Sequence, residues 1–182
     1  PTNFTVSDGL AASFRDTLNG GTSVTIKTSD TVTGSEEGDI NFENTTTAIS
    51  WFADADFSAY AHNDIKFSTG AAITTSGNGD ITLRSDSDAD GVGTVSLTDD
   101  NQVSTSGAGR IELFYNPISY SSPTNYSSNV SADNGVSKAY MLVNTGDDLQ
   151  NMTESPSGDY ALGKNLDMTG YTKDQGVDFI PI

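Results

Sequence analysis

Asp86, Ser87, Asp88, Ala89, Asp90 and Gly91 follow one another, setting three carboxylates at alternate positions ahead of a glycine. This is how an oxygen-ligand calcium loop opens: alternate side chains converge on a hard cation and the glycine permits the sharp turn. The twelfth position of such a loop calls for a bidentate acid and here holds Leu97, which leaves Asp99 and Asp100 to complete the shell from the next turn. A solvated Asp-rich turn is the competing reading. A second group of residues is suited to covalent modification. Asn3, Asn44, Asn125, Asn129 and Asn151 each open an N-x-S/T triplet with no central proline, which makes them candidate glycosylation sites.

Catalytic chemistry finds less support. The chain has no cysteine and one histidine, His62, so thiolate nucleophiles, Cys-ligated metals and sites needing two imidazoles are excluded. No G-x-S-x-G elbow is present to expose a serine. A β-helix polysaccharide lyase or glycosidase needs convergent carboxylates, often with a base in the groove. Only Arg84 and Arg110 lie close to the repeated apolar positions described below, and no such constellation stands out. No catalytic residue is expected, and no cofactor beyond calcium. Trp51, Phe52, Phe57 and Tyr60 could form a sugar-stacking platform, but inward packing is the better account of most of them.

The elements that position these residues come from a chain of 182 residues, enough for one domain or one segment of a larger protein. Ser, Thr, Asp, Gly and Asn make up just over half of it, and hydrophobic residues only 34%. The net charge of -17 repels phosphate backbones and anionic headgroups, which argues against nucleic-acid and membrane-surface partners. No apolar run approaches the roughly 20 residues of a membrane-spanning helix. No charged-then-apolar leader opens the chain, and Pro1 in place of an initiator Met reads as an excised or processed piece.

The apolar residues are spaced rather than merely sparse. Val24, Ile26, Val32, Gly38, Ile40 and Phe42 define a template that Ile65, Phe67, Ile73, Gly79, Ile81 and Leu83 repeat position for position. Val95, Leu97, Val103, Gly109, Ile111 and Leu113 repeat it again, and Thr-Ser-Gly at 75–77 recurs at 105–107. Each doublet, such as Ile-Thr-Leu, puts two apolar side chains on one face of a short strand. Gly, Asn, Asp and Ser fill the gaps with turns, and no helical periodicity is expected beyond a turn or two. Short strands repeating one template predict a stack of coils, a parallel β-helix, ahead of a β-sandwich. Ile49 with Trp51 and Phe57 with Ala59 are spaced like two further rungs. An ice-binding solenoid needs a threonine array on every coil, and Thr22, Thr33, Thr74 and Thr75 do not fall at one repeating position.

The chain divides into coils over 1–115, a Tyr/Ser/Pro-rich excursion over 116–138, and further coils over 139–182. In the last part, Asp147 to Met152 predicts a helical turn with Asp147 or Asp148 near its start, and Tyr160 to Met168 a strand pair about a glycine.

Ile65 to Leu83, Gly93 to Pro117, Ala139-Tyr-Met-Leu-Val-Asn144, Asp148-Leu-Gln150, Gly158-Asp-Tyr-Ala-Leu-Gly163, Asp167 and Phe179-Ile-Pro-Ile182, in that order, resemble filamentous haemagglutinin-type exoproteins, the two-partner-secretion adhesins of Gram-negative bacteria. The resemblance is tightest over Ile65 to Ile182, and the chain lacks the export domain that such proteins carry at the mature N-terminus. It implies a right-handed parallel β-helix, exported through an outer-membrane partner and displayed or released outside the cell. It also implies a role as a stalk or binding surface toward a receptor or glycan on a host or neighbouring cell. Contact-dependent toxins and haemolysins belong to the same family, which makes a carrier segment the alternative role. Some adhesins of the family carry hexoses at N-x-S/T sites.

Overall fold

The computed structural model describes residues 1–29, 34–44, 47–173 and 177–180, with backbone alone at 172, 173, 177 and 178. Val32 and Thr33 lie outside the described residues. The chain opens with strand β1 (Phe4–Val6), helix α1 (Asp8–Asn19) and β2 (Val24–Lys27). Nine short strands follow: β3 (Ile40–Phe42), β4 (Ile49–Trp51), β5 (Phe57–Tyr60), β6 (Ile65–Phe67), β7 (Ile73–Thr75), β8 (Ile81–Arg84), β9 (Val95–Ser96), β10 (Val103–Thr105) and β11 (Arg110–Tyr115). The last part holds β12 (Val130–Ala132), β13 (Val136–Val143), α2 (Gly146–Asn151), β14 (Tyr160–Leu162) and an antiparallel pair, β15 (Thr172–Lys173) with β16 (Val177–Asp178).

The first fourteen strands form three parallel sheets. Sheet I is ordered β1-β3-β6-β9, sheet II β4-β7-β10-β12, and sheet III β2-β5-β8-β11-β13-β14. From β3 to β11 the chain visits I, II and III in turn, three times over, so the fold is an all-β parallel β-helix. Apolar residues stack in register inside it: Ile40, Ile65 and Val95 in sheet I, Ile49, Ile73 and Val103 in sheet II, Phe57, Ile81 and Ile111 in sheet III. Ile81 is fully buried between its two neighbours, as the repeat requires. The spacing of Ile49 with Trp51 and of Phe57 with Ala59 is likewise that of true rungs.

The structure corrects the sequence reading in four places. The first template copy is out of phase. Val24 and Ile26 lie in sheet III, beside Phe57 and Ala59, whereas Ile65 and Phe67 lie in sheet I. The apolar doublet is common to all three sheets, so it marks a rung without saying which side of the coil the rung occupies. The second correction is α1, a full 12-residue helix. Leu10, Ala11, Phe14 and Leu18 turn one face inward, with Ala11 and Leu18 buried, and α1 packs on β4 where a sheet II strand would precede it. Asp8 in the first turn and Gly20-Gly21 after the last are the matching start and stop signals. Third, the excursion is shorter than its composition suggests, because the coil resumes at Val130 and β13 begins at Val136. Fourth, the Tyr160 to Met168 stretch contributes one strand rather than two, ending at Leu162.

Two kinds of corner hold successive coils together. Ahead of sheet I, Asn3 Oδ1 accepts the Asp39 N–H (2.8 Å), Asp39 Oδ1 the Asp64 N–H (3.1 Å), and Asp64 Oδ1 the Thr94 N–H (2.7 Å). Ahead of sheet III, Ser23 Oγ accepts the Asp56 N–H, Asp56 the Asp80 N–H, and Asp80 the Arg110 N–H. Each side chain thereby pairs a corner N–H of the coil that follows it, so four of the 25 acidic residues, Asp39, Asp56, Asp64 and Asp80, serve the fold directly. Between sheets II and III the Thr-Ser-Gly repeat works differently. Thr75 and Thr105 turn inward and their hydroxyls accept the Gly77 and Gly107 N–H groups, while a Cβ on Gly107 or Gly109 would overlap the carbonyl of Gly77 or Gly79 in the coil before.

Candidate functional site

The Asp86 loop follows β8. Asp86 and Ala89 have positive φ (49° and 60°), and facing carboxylate oxygens of Asp86, Asp88 and Asp90 lie within 4.8 Å of one another. Asp86 is fully buried, whereas Asp88 and Asp90 are exposed. Its Oδ2 accepts from Asn116 Nδ2 (2.9 Å) and Asn144 Nδ2 (2.8 Å), and its Oδ1 from the Gly91 N–H (3.3 Å). Burial pushes the Asp86 carboxyl above the usual carboxylate range, and the nearby Asp90 charge adds to the rise, against the lowering effect of the three donors. Asp88 faces His62 Nε2 at 3.2 Å, and Asp90 Oδ1 accepts the Val92 N–H. The alternating spacing therefore does bring the three carboxylates together, and a hard divalent cation is the ligand their chemistry suits. Leu97 packs against the core, as expected. Asp99 takes part in a different contact, accepting the Gly70 N–H at 2.6 Å. Asn116 and Asn144, which come from the turns after β11 and β13, are the partners that sequence spacing could not reveal. Among the described residues, the Asn144 Oδ1 is buried without a hydrogen-bond partner.

The candidate glycosylation sites fall in unlike surroundings. Asn3 is part of the sheet I corner, and Asn129 Nδ2 donates to the Asp99 carbonyl (2.8 Å). Asn125 is exposed, with its Oδ1 accepting the Ser127 N–H (3.0 Å). Asn44 is exposed but its triplet ends at Thr46, outside the described residues. Asn151 closes α2 and is half-buried.

The aromatic platform read from 51–60 separates into parts. Trp51 and Phe57 are core residues, at 2% and 0% exposure, with Trp51 Nε1 donating to the Ala55 carbonyl. Phe52 points outward at 68% exposure. Tyr60 belongs to something larger. On the outer face of sheet III, parallel register aligns Lys27, Tyr60, Arg84, Phe114 and Tyr140 in a single column, one residue per coil. The Phe114 and Tyr140 rings stack at 5.0 Å between centroids, inclined by 20°, and the Arg84 guanidinium sits over Phe114 at 5.6 Å. Beside this column runs another made of Thr25, Ser58, Thr82, Glu112 and Lys138. Arg84 Nη2 also donates to the Gly163 carbonyl (3.1 Å), and Lys164 Nζ to the Ala89 carbonyl (2.7 Å), which ties the segment after β14 to the edge of this face.

Four of the eight basic residues of this acidic chain, Lys27, Arg84, Arg110 and Lys138, thus lie on sheet III. Arg110 pairs with Asp80 and Glu112, and Lys138 with Asp159. Among the described residues, Lys27 and Arg84 have no carboxylate within ion-pair distance. The alternation of polar and apolar positions in β2, β5, β8 and β11 was the signal in the sequence, but alignment across coils needed the register. Sheet II is plainer, with outward Ser50, Thr74, Ser104 and Ser131 in register, so its one threonine does not make an ice-binding array. No family model, curated protein or solved structure matches the chain.

Proposed function

We propose that the chain is a segment of a secreted bacterial surface exoprotein that acts as a β-helical stalk and binding surface in cell adhesion, without catalysis of its own. The observation that carries this reading is the outer face of sheet III, where side chains able to stack, donate hydrogen bonds and bear positive charge are set in line over five coils. A solenoid is suited to such a role because each coil contacts only its neighbours, so outward residues can vary while the core and corners keep the register. Export through an outer-membrane partner, display at the cell surface, and a receptor or glycan on another cell as the partner complete the proposal. Beads coated with the purified chain should be retained on target cells in a saturable way and displaced by the soluble chain. Retention no greater than that of beads coated with an unrelated acidic protein would defeat the reading.

A further inference from the structure

We infer that the Lys27, Tyr60, Arg84, Phe114 and Tyr140 column binds an extended acidic polysaccharide, a polymer of uronic-acid sugars laid along the solenoid axis. The inference rests on the adhesive reading and names the ligand class of the same face. Three features of the column point to this chemistry.

The first is periodicity. Strands of a sheet are about 4.8 Å apart, so Lys27 and Arg84, two rungs from each other, stand roughly 10 Å apart with Tyr60 between them. This places two cations along the path of an extended polymer of similar repeat. The second is the alternation of cation and ring. A pyranose presents one face of weakly positive C–H groups, which packs on an aromatic face, and Tyr60 and the side of Tyr140 turned away from Phe114 offer such faces, both rings being only half-buried. The stacking of Phe114 on Tyr140 and of Arg84 on Phe114 holds three of the five side chains in place before any ligand arrives.

The third feature is charge. In a chain of net charge -17, nearly all carboxylate-rich surface repels an anionic sugar polymer. Lys27 is exposed, and Arg84 uses one guanidinium N–H on the Gly163 carbonyl, so both retain donors for carboxylates. Thr25, Ser58 and Thr82 run alongside these same three rungs and present hydroxyls to the sugar hydroxyls. A polyanion without sugar rings lacks the stacking component, and a neutral glycan lacks the charge component.

Titration with alginate oligomers, with a chelator present and followed by calorimetry, tests the inference. Binding should weaken with added sodium chloride, and Tyr60→Ala and Arg84→Gln should each lower affinity about tenfold. Lys27→Gln should lower it less, and Ser104→Ala on sheet II should leave it unchanged. Lys27 is exposed and without a carboxylate partner among the described residues, so its variant keeps the test valid if Arg84→Gln disturbs folding. Equal binding of polyphosphate, equal binding of a neutral β-glucan oligomer, no alginate binding at millimolar concentration, or binding indifferent to the Tyr60 and Lys27 variants would each overturn it. Loss of alginate binding alongside saturable cell attachment would remove the ligand class and leave the adhesive reading intact.

Discussion

Asp39 and Asp86 are both buried, both sit at turns, and both accept three hydrogen bonds, yet their acidities move in opposite directions. Burial alone would raise each. At Asp39 it is outweighed by the Lys66 ammonium at 2.6 Å, the Asp64 N–H and the Asn63 amide, and the carboxyl lies below its ordinary range. Lys66 also reaches Asp64 at 3.0 Å, so one cation ties two successive rungs of the sheet I corner. At Asp86 the donors are two neutral amides and a long bond from Gly91, and they do not offset burial and the Asp90 charge. Hydrogen-bond number is the same in the two places; a full positive charge within reach is what differs. One aspartate helps to close the coil, and the other is a charge the loop holds at a cost.

The comparison is broken most severely by a buried carboxylate with no donor. Ile81→Asp puts one between Phe57 and Ile111, and should cost about 4 kcal/mol or prevent folding, as read by urea denaturation. Unchanged stability would mean that the stacking register is wrong.

Asp39→Ala comes next. It strands the Asn63 amide and the Asp64 N–H, and because Lys66 is partly exposed the ion-pair share of the loss is small, giving a total near ~2 kcal/mol. A loss under a few tenths would show that the corner ladder is decorative.

The pH dependence sharpens the contrast further. Asp39, whose folded pKa is depressed, supplies stability that is present above the unfolded value near 3.8 and lost as pH falls through the folded one. Asp86 has the opposite sign. Its raised folded pKa means a penalty at neutral pH that is relieved as pH falls toward 3.8. Measured in a chelator, the parent should therefore lose ground to Asp39→Asn at acid pH and gain ground on Asp86→Asn over the range just above. Parallel curves for the two variants would contradict the assignment.

The smallest effect concerns calcium. For a weak site with Kd about 1 mM, 1 mM calcium would add roughly 0.4 kcal/mol of stability. The parent should show this at fixed ionic strength, magnesium should do less, and the variant with Asn at 86, 88 and 90 should not respond. An equal response in parent and variant would mark diffuse screening.

Much of this architecture is legible in the residues themselves. Alternating apolar doublets such as Ile65/Phe67 and Ile81/Leu83 specify strands with one inward face, and their recurrence specifies stacked coils, because a short strand cannot bury its apolar side alone. Thr75-Ser76-Gly77 and Thr105-Ser106-Gly107 mark a corner where backbones approach too closely for a side chain. The three carboxylates of the Asp86 loop were also visible, since their convergence depends on spacing within one turn. The remaining features depend on residues brought together from different coils. Which doublet belongs to which sheet, and hence that Val24 and Ile26 align with Phe57 and Ala59, is decided by loop lengths and by α1 standing in for a strand. The bonds from Asn116 and Asn144 to Asp86, and the line from Lys27 to Tyr140, exist only once the parallel register is set, for that register places residues 24 to 33 positions apart in the chain on adjacent strands.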